Sequence, residues 1–320
     1  MARILLTGST GFVGTALLAA FKNVTGVQVV PAVRRVSAST PEGSIAVGNM
    51  DGTTDYSAAI QGIDIVVHAA ARAHIMRDEV ADPLAEYRKV NVEGTLKLAQ
   101  DAAAAGVKRF IYISSIKVNG ESTTGRDPFS ATHPPAPQDP YGLSKQEAED
   151  GLRQLAVDTG MEVVIIRPPL VYGPGVKANF LSLLKVSDTG LPLPFARIKN
   201  VRSLVYVGNL VDCIIRCTQH PAAANQTFLV SDGEDVSLPE LVKHIRTALG
   251  RPARLMPVPV GLFKLAGALT GKQSVVDRLV GDLQVDTTNT RVFLDWTPPF
   301  TLEQGLQATV AEYKQSILTK

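Results

Sequence analysis

The 320-residue chain has little of several things, and each shortage narrows the possibilities. Cysteine occurs only at Cys213 and Cys217, four apart in a stretch that reads as helix. Neither a disulfide framework nor a metal cluster fits that pattern, so the pair reads as small core residues in a reducing compartment. The five histidines include no H-x-x-x-H pair, so there is no zinc signature and no metal is expected. A formal net charge of +2 is too small to argue for nucleic acid or an anionic membrane as partner. No run approaches the ~20 apolar residues that span a bilayer. The opening "MARILLTGSTG" lacks a long apolar stretch of signal-peptide type and runs at once into glycines, so a soluble, cytoplasmic protein is expected. The most apolar segment, "VPVGLFKLAGALTG", is interrupted by Lys264 and by glycines and reads as a core or dimer-facing helix. Internal repeats and low-complexity stretches are absent.

What is present is an ordinary globular balance, 45% apolar and 19% charged, in a chain long enough for a sizeable core. Short apolar runs alternate with longer amphipathic ones. "ARILLT" (2–7), "VQVVPAV" (27–33), "SIAV" (44–47), "IDIVVHAA" (63–70), "RFIYIS" (109–114) and "EVVIIRP" (162–168) read as strands. Most are continuously apolar, as in a parallel sheet covered on both faces. Helical patterns fall at about 12–22, 83–105 and 140–158 between them. Repeated βα units predict a doubly wound α/β sheet. After Pro168 the pattern changes: 171–202 is rich in Gly and Pro, with no strong strand before "RSLVYV", and 233–320 reads as helices, loops and a short strand near "RLMPV". "SLPELVKHIRTALG" predicts a helix capped by Ser237 and stopped by Gly250. "TFLVSD" (227–232) resembles a further sheet strand. The expected division is 1–170 with 205–232 as a nucleotide-type domain, and 171–204 with 233–320 as a smaller, mixed α/β domain.

The first strand feeds "TGSTGFVGTALLAAF". Gly8, Gly11 and Gly14 fall at the turn and in the first helical turn. Glycine there lets the backbone approach a pyrophosphate, which the helix N-terminus stabilises. The spacing is G-x-x-G-x-x-G, and its position between strand and helix is the context that gives it meaning. An acid at the end of the second strand would hold the adenosine ribose of NAD. Here Val33 occupies that place, followed by Arg34 and Arg35. Guanidinium groups suit a 2′-phosphate, so NADP(H) is favoured and NAD(H) is the alternative. The same arginines are also compatible with solvated loop charges.

In "DPYGLSKQEAE", Asp139 is a good N-cap and Pro140 suits the first helical position. Tyr141 and Lys145 then lie one turn apart on one face. A phenol titrates near pH ~10, and an ammonium beside it favours phenolate. The pair alone fits either an acid/base device or a surface tyrosine beside a surface lysine.

Taken together, "TGSTGFVG", "HAAA" (68–71), "VNVEGT" (90–95), "FIYISSIKVNG" (110–120), "YGLSK" (141–145), "RPPLVYGPG" (167–175) and "RSLVYVGNLVDCI" (202–214) resemble the extended short-chain dehydrogenase/reductase family. The branch is that of nucleotide-sugar epimerases, dehydratases and reductases, and the likeness covers essentially the whole chain in the family order. It implies a Rossmann nucleotide domain followed by a nucleotide-sugar domain. It further implies Tyr141 as catalytic acid/base, Lys145 as its partner and holder of the nicotinamide ribose, and Ser115 as the third catalytic residue. Asn91 matches a family asparagine near the site, and is also compatible with a role that only ties helix to strand. Gly8, Ser9, Gly11, Phe12, Val13 and Gly14 would line the cofactor pyrophosphate. Asp51 would contact adenine; Ala69, Ala70 and Ala71 would leave room for the dinucleotide; Pro168 and Tyr172 would lie near the nicotinamide. Asn179, Arg202 and Arg278 resemble groups that grip a nucleoside diphosphate, and two guanidinium forks can chelate one.

The chain departs from many 4-epimerases in carrying Lys117, expected on the substrate side of the site with Ser115 and Tyr141, two positions beyond Ser115, and Asn119 where a tyrosine is common. "SSIKVNGE" with "HAAARAHIM" resembles a bacterial polysaccharide-pathway subgroup acting on UDP-activated N-acetyl sugars. The leading expectation is therefore an NAD(P)H-dependent 4-ketoreductase acting on a UDP-2-acetamido-2,6-dideoxy-4-hexulose, with a product of UDP-N-acetylquinovosamine type and a role in O-antigen or other surface polysaccharide synthesis. The alternative is a UDP-hexose or UDP-N-acetylhexosamine 4-epimerase. Ile116 and Lys117 stand where a 4,6-dehydratase has an acid pair. A non-catalytic dinucleotide-binding protein would typically lack the tyrosine or the lysine. The resemblance also implies a homodimer formed through the helices carrying "VNVEGT" and "YGLSK".

Overall fold

The computed structural model describes residues 1–72, 82–271 and 273–318. Part of the "HAAARAHIM" stretch, and most of the loop expected around 72–82 to shape a pocket, lie outside the described residues. In chain order the described elements begin β1 (Ala2–Thr7), α1 (Phe12–Phe21), β2 (Val27–Val33), β3 (Ile45–Ala46), α2 (Ser57–Ile60) and β4 (Ile65–His68). Next come α3 (Pro83–Tyr87), a wide π turn (Arg88–Glu93) and α4 (Gly94–Ala104). β5 (Arg109–Ile113), a 3₁₀ turn (Ile116–Val118), α5 (Pro140–Thr159), β6 (Glu162–Arg167), β7 (Leu170–Tyr172) and α6 (Ala178–Asp188) follow. The chain closes with β8 (Leu204–Tyr206), α7 (Val207–Gln219), β9 (Thr227–Leu229), α8 (Leu238–Leu249), α9 (Val260–Leu269), α10 (Gln273–Val280), α11 (Thr288–Leu294) and α12 (Leu302–Leu318).

Seven strands form one parallel sheet in the order β3-β2-β1-β4-β5-β6-β9. The continuously apolar strands are buried because both faces are covered. On one face α1 and α7 pack over Ile4, Leu6, Val67, Ile111 and Val164. On the other, α4 and α5 press Leu98, Ala99, Ala148 and Leu152 onto Leu5, Val66, Phe110 and Val163. This is the doubly wound α/β fold expected from the strand pattern. β1 and β4 are neighbours although β2 and β3 intervene in sequence. The chain reverses direction across the sheet there, and the carboxyl ends of β1 and β4 open a crevice of the kind that holds ligands in such folds. Pro31 in β2 is tolerated because β3 pairs only Ala32 and Val33.

The segment after β6 is better ordered than its Gly and Pro content predicts. Leu170–Tyr172 pairs in parallel with Leu204–Tyr206, and α6 follows directly. Their side chains build a separate core with α8 and α12, in which Phe180, Leu184, Leu241, Ile245, Leu306 and Val310 meet Tyr172. Ser237 and Glu240 form a reciprocal cap on α8, and Gly250 ends it at φ 73°. The strand expected near "RLMPV" reduces to a single bridge between Leu255 and Leu193. Cys213 and Cys217 are buried thiols inside α7. In α9, Leu262, Leu265 and Leu269 are exposed, so the expected core role falls to Gly267 and the half-buried Val260 and Phe263. No described helix is long and apolar enough to cross a membrane.

Candidate active site

The glycine loop connects β1 to α1, and each glycine does a different job. Gly8 adopts φ 69°, and a Cβ there would lie 2.6 Å from the Ala70 nitrogen. At Gly11 the N–H donates to the Gly8 carbonyl at 2.9 Å. A Cβ on Gly14 would stand 2.0 Å from that carbonyl oxygen, so only glycine lets the helix come so close to the loop. The N-terminus of α1 has no side-chain cap and no acid in its first turn. Its unsatisfied N–H groups, with the helix dipole behind them, form a seat for an anion.

Above this seat lies a cavity of about 670 Å³. Its walls include Gly8, Gly11, Arg34, Asp51, Ala69, Ala70 and Ala71, seven of the residues expected to bind a cofactor. Arg34 and Arg35 also flank an open groove with Thr10, Val33 and Asn49. Val33 is buried and both arginines are exposed, so the end of β2 presents cations and no carboxylate. A group carrying a diphosphate and an adenosine ribose fits this arrangement of open cleft, bare helix terminus and guanidinium pair. Ser9, Phe12, Val13 and Gly14 do not reach the cavity walls. The Ser9 hydroxyl turns away to donate to the Ala32 carbonyl at 3.3 Å, and Phe12 and Val13 pack against the core. They shape the loop from behind. Asp51 is used within its own turn, where its carboxylate accepts from the Thr53 N–H at 2.9 Å and the Thr53 hydroxyl at 2.7 Å.

Ser115, Lys117, Tyr141, Asn179, Arg202 and Arg278 all line a second cavity, of about 550 Å³. They come from the 3₁₀ turn after β5, from α5, from α6 and α10, and from the approach to β8. Sequence positions more than 160 apart thus share one site. Arg202 donates from Nη1 to the carbonyls of Arg278 and Gly281, both at 2.9 Å, so it ties down the end of α10. Burial lowers its pKa, an effect opposed by Asp282.

Tyr141 and Lys145 are brought together, but not as a surface pair. Lys145 is 2% exposed; its Nζ donates to the Ile113 carbonyl at 2.8 Å and lies 4.5 Å from the centre of the Tyr112 ring. Burial pulls this amine down to about 7, with Glu149 opposing. The expected lowering of the Tyr141 phenol by the lysine is not seen. Burial raises it above its ordinary value, the Asp139 carboxylate and Tyr87 raise it further, and a hydrogen bond with Ser115 pulls it back. The ammonium is 6.0 Å from the Tyr141 ring centre, and burial outweighs it.

The remaining sequence candidates fall into supporting positions. Asn91 accepts from the Arg72 N–H at 2.8 Å and donates to the Arg72 carbonyl at 3.2 Å and to Ser144 Oγ at 3.0 Å. It therefore joins the end of β4 to α5, and the π turn that replaces part of one long expected helix aims it there. Pro168 is buried with its carbonyl accepting from the Ile116 N–H at 3.0 Å; its neighbour Pro169 lines the second cavity instead. Tyr172, expected beside the nicotinamide, is fully buried. Its hydroxyl donates to Asp232 at 2.8 Å and its ring stacks on Phe180 at 5.2 Å. The apolar core under the second cavity holds it.

Sequence reasoning missed the buried network beneath the site. Glu149 accepts from Arg167 Nε at 2.9 Å, from Arg167 Nη2 at 2.5 Å and from Ser114 Oγ at 2.5 Å. Arg167 Nη1 donates to Asn119 Oδ1 at 2.9 Å, which gives Asn119 a structural role. The signal was available: Glu149 lies one turn beyond Lys145 on the inward face of α5, and a buried carboxylate requires a cationic partner. Thr10 and Asn49 in the first cavity and Glu121 in the second were also missed, since loop residues carry no periodic signal, as was Lys89, which the π turn aims at the first cavity.

Comparison with known proteins bears on this site. The model of the NAD dependent epimerase/dehydratase family matches residues 4–231. A UDP-glucose 4-epimerase of Vibrio cholerae is 51% identical over 314 residues, covering 98% of this chain and 96% of that protein. An N-acetyl-alpha-D-glucosaminyl-diphospho-ditrans,octacis-undecaprenol 4-epimerase of Escherichia coli O157:H7 is 30% identical, covering 96% of this chain and 94% of that protein. In fold, the chain superposes with a TM-score of 0.79 on the UDP-glucuronic acid 4-epimerase of Bacillus cereus solved with NAD, at 21% identity and 98% and 99% coverage. The likeness to the Vibrio enzyme overturns the 4-ketoreductase expectation, which rested on Arg34 and Arg35 and on Lys117. Charges in a loop and at a cavity wall weighed less than half of all residues agreeing along nearly the whole chain.

Proposed function

Because the chain belongs to the NAD dependent epimerase/dehydratase family, we propose that it is a 4-epimerase of a UDP-hexose or UDP-N-acetylhexosamine. The observation that carries this reading is the near full-length likeness to the Vibrio UDP-glucose 4-epimerase. Supporting it are Ser115 and Tyr141 on the wall of one cavity, with Lys145 buried on the same helix.

The cofactor is a nicotinamide dinucleotide, which when bound supplies a hydride acceptor and donor for the sugar carbon. Gly8, Gly11 and the bare N-terminus of α1 hold its diphosphate, and Ala69 to Ala71 leave it room. Arg34 and Arg35 favour the form carrying a 2′-phosphate. The residues of the chain manage the proton. Tyr141 takes the proton from the sugar hydroxyl as the carbon is oxidised and returns it when the carbon is reduced on its other face. Ser115 hydrogen-bonds the reacting oxygen. Lys145, one turn along the same helix, holds the nicotinamide ribose, and its low pKa makes it sensitive to charge placed nearby. Asn179, Arg202 and Arg278 hold the nucleoside diphosphate in the second cavity. Residues 1–170 with 205–232 thus serve the cofactor and 171–204 with 233–320 the substrate. The outer faces of the helices carrying "VNVEGT" and "YGLSK" form a homodimer, which light scattering of the purified protein tests.

The test of function is direct. Purified holoenzyme given UDP-glucose or UDP-N-acetylglucosamine, without added reductant, should form the 4-epimer with no net change in nicotinamide redox state. No epimer from any such sugar, or steady consumption of NADPH with a 4-keto sugar, would refute the reading.

A further inference from the structure

Lys117 lines the substrate cavity, yet its ammonium is already engaged. Nζ donates to Glu121 Oε1 at 2.9 Å and pairs with Asp139 Oδ2, and the Lys117 and Asp139 side chains are each only 19% exposed. The other oxygen of Asp139 caps α5, accepting the Gly142 N–H at 2.7 Å. The peptide N–H of Lys117 donates to Ser115 Oγ at 3.3 Å. A Cβ on Gly142 would lie 2.9 Å from the Lys117 carbonyl, so the turn and the helix touch backbone to backbone. A further bond, Ala136 N–H to the Val118 carbonyl at 2.8 Å, closes the same seam.

Lys117 thus touches the Ser115 hydroxyl through its main chain and the cap of the Tyr141 helix through its side chain. We propose that Lys117 is a positioning residue: through Asp139 it locks the Ser115 turn onto the first turn of α5, and its charge offsets the carboxylate that caps the helix carrying Tyr141. This rests on the 4-epimerase reading for its rate measurements. The groups facing Tyr141 are Ser115 from the 3₁₀ turn, Tyr87 from α3 at 5.9 Å between ring centres, Tyr112 from β5, Asp139 at the cap and Lys145 from α5 itself. Among these Asp139 is the anion, and Lys117 holds it with Glu121 on the far side.

The signs follow. In Lys117→Met the Asp139 carboxylate loses the Lys117 cation, phenolate is disfavoured, and the alkaline-rising limb of kcat moves to higher pH. At neutral pH kcat falls roughly tenfold while KM stays within about twofold. Asp139→Asn keeps a good capping residue but removes the charge, and moves the limb to lower pH. In the double variant the limb returns towards wild type, and Lys117→Arg, which keeps the charge, stays near it. A purely structural clamp would instead leave the double variant as impaired as either single variant, since each alone breaks the pair, with the limb unmoved, and that result overturns the proposal. A second readout needs no substrate. With tyrosine labelled at Cζ, the Tyr141 carbon resonance, assigned by its absence in Tyr141→Phe, should shift in Lys117→Met and return in the double variant. If no sugar is epimerised but the resonance behaves so, the positioning role stands and the 4-epimerase reading fails. An unmoved resonance in Lys117→Met refutes the positioning role whatever the activity.

Discussion

Replacing Glu149 by Gln should be among the most damaging conservative changes in this chain, although Glu149 touches neither cavity. Its side chain is fully buried and answers Arg167, itself 2% exposed, through two hydrogen bonds. Gln retains the shape but not the charge, and its amide nitrogen would face guanidinium donors. A buried cation without its partner costs about 3–5 kcal/mol. Arg153 also reaches Glu149, but it is 42% exposed, so water compensates it and it adds little. For a chain of this size the loss corresponds to a fall in Tm of roughly 5 °C or more. Activity should fall as well. The Glu149 charge props up the Lys145 amine against burial, and the same carboxylate accepts from Ser114, next to Ser115, at 2.5 Å. The assay is thermal and urea unfolding of cofactor-loaded protein, with kcat measured in parallel. A paired change, Glu149→Leu with Arg167→Met, removes both charges and should recover most of the stability without the activity. A Glu149→Gln protein melting within about 1 °C of wild type would show that the ion pair contributes little and would refute the reasoning.

Tyr141→Phe should abolish turnover while leaving dinucleotide affinity nearly unchanged by calorimetry; retained turnover removes the phenol from the mechanism. Arg34→Ala with Arg35→Ala should weaken NADPH binding by roughly tenfold or more and NADH binding far less; equal losses would mean the arginines are only solvated charges. Gly14→Ala places a methyl 2.0 Å from the Gly8 carbonyl and should collapse the dinucleotide seat, read as loss of cofactor retained through purification. His68 is buried between Thr7 and Thr95, and burial, with Lys145 adding to it, pulls its pKa down to about 3. The unfolded chain takes up this proton near the ordinary pKa, so the contribution is complete above about 6.5 and is lost as pH falls towards 3. The acid limb of the stability profile should therefore flatten in His68→Gln, and an unchanged limb would show that His68 does not set it.

Much of this molecule was legible in its residues. The continuously apolar strands and the strand–glycine–helix junction determined a doubly wound sheet, because period and turn chemistry act over a few residues and survive in one dimension. The same locality made the caps at Asp139, Ser237 and Gly250 readable. Three things only the tertiary structure decided. It gathered Ser115, Tyr141, Asn179, Arg202 and Arg278 onto one wall, since contacts between distant segments leave no spacing to read. By burying Tyr172 in a core it removed that residue from the site, although its motif gave no sign of this. It also moved the pKa of Tyr141 up and that of Lys145 down, because burial is a property of the folded chain and here outweighs the neighbouring charge that sequence spacing had suggested would dominate.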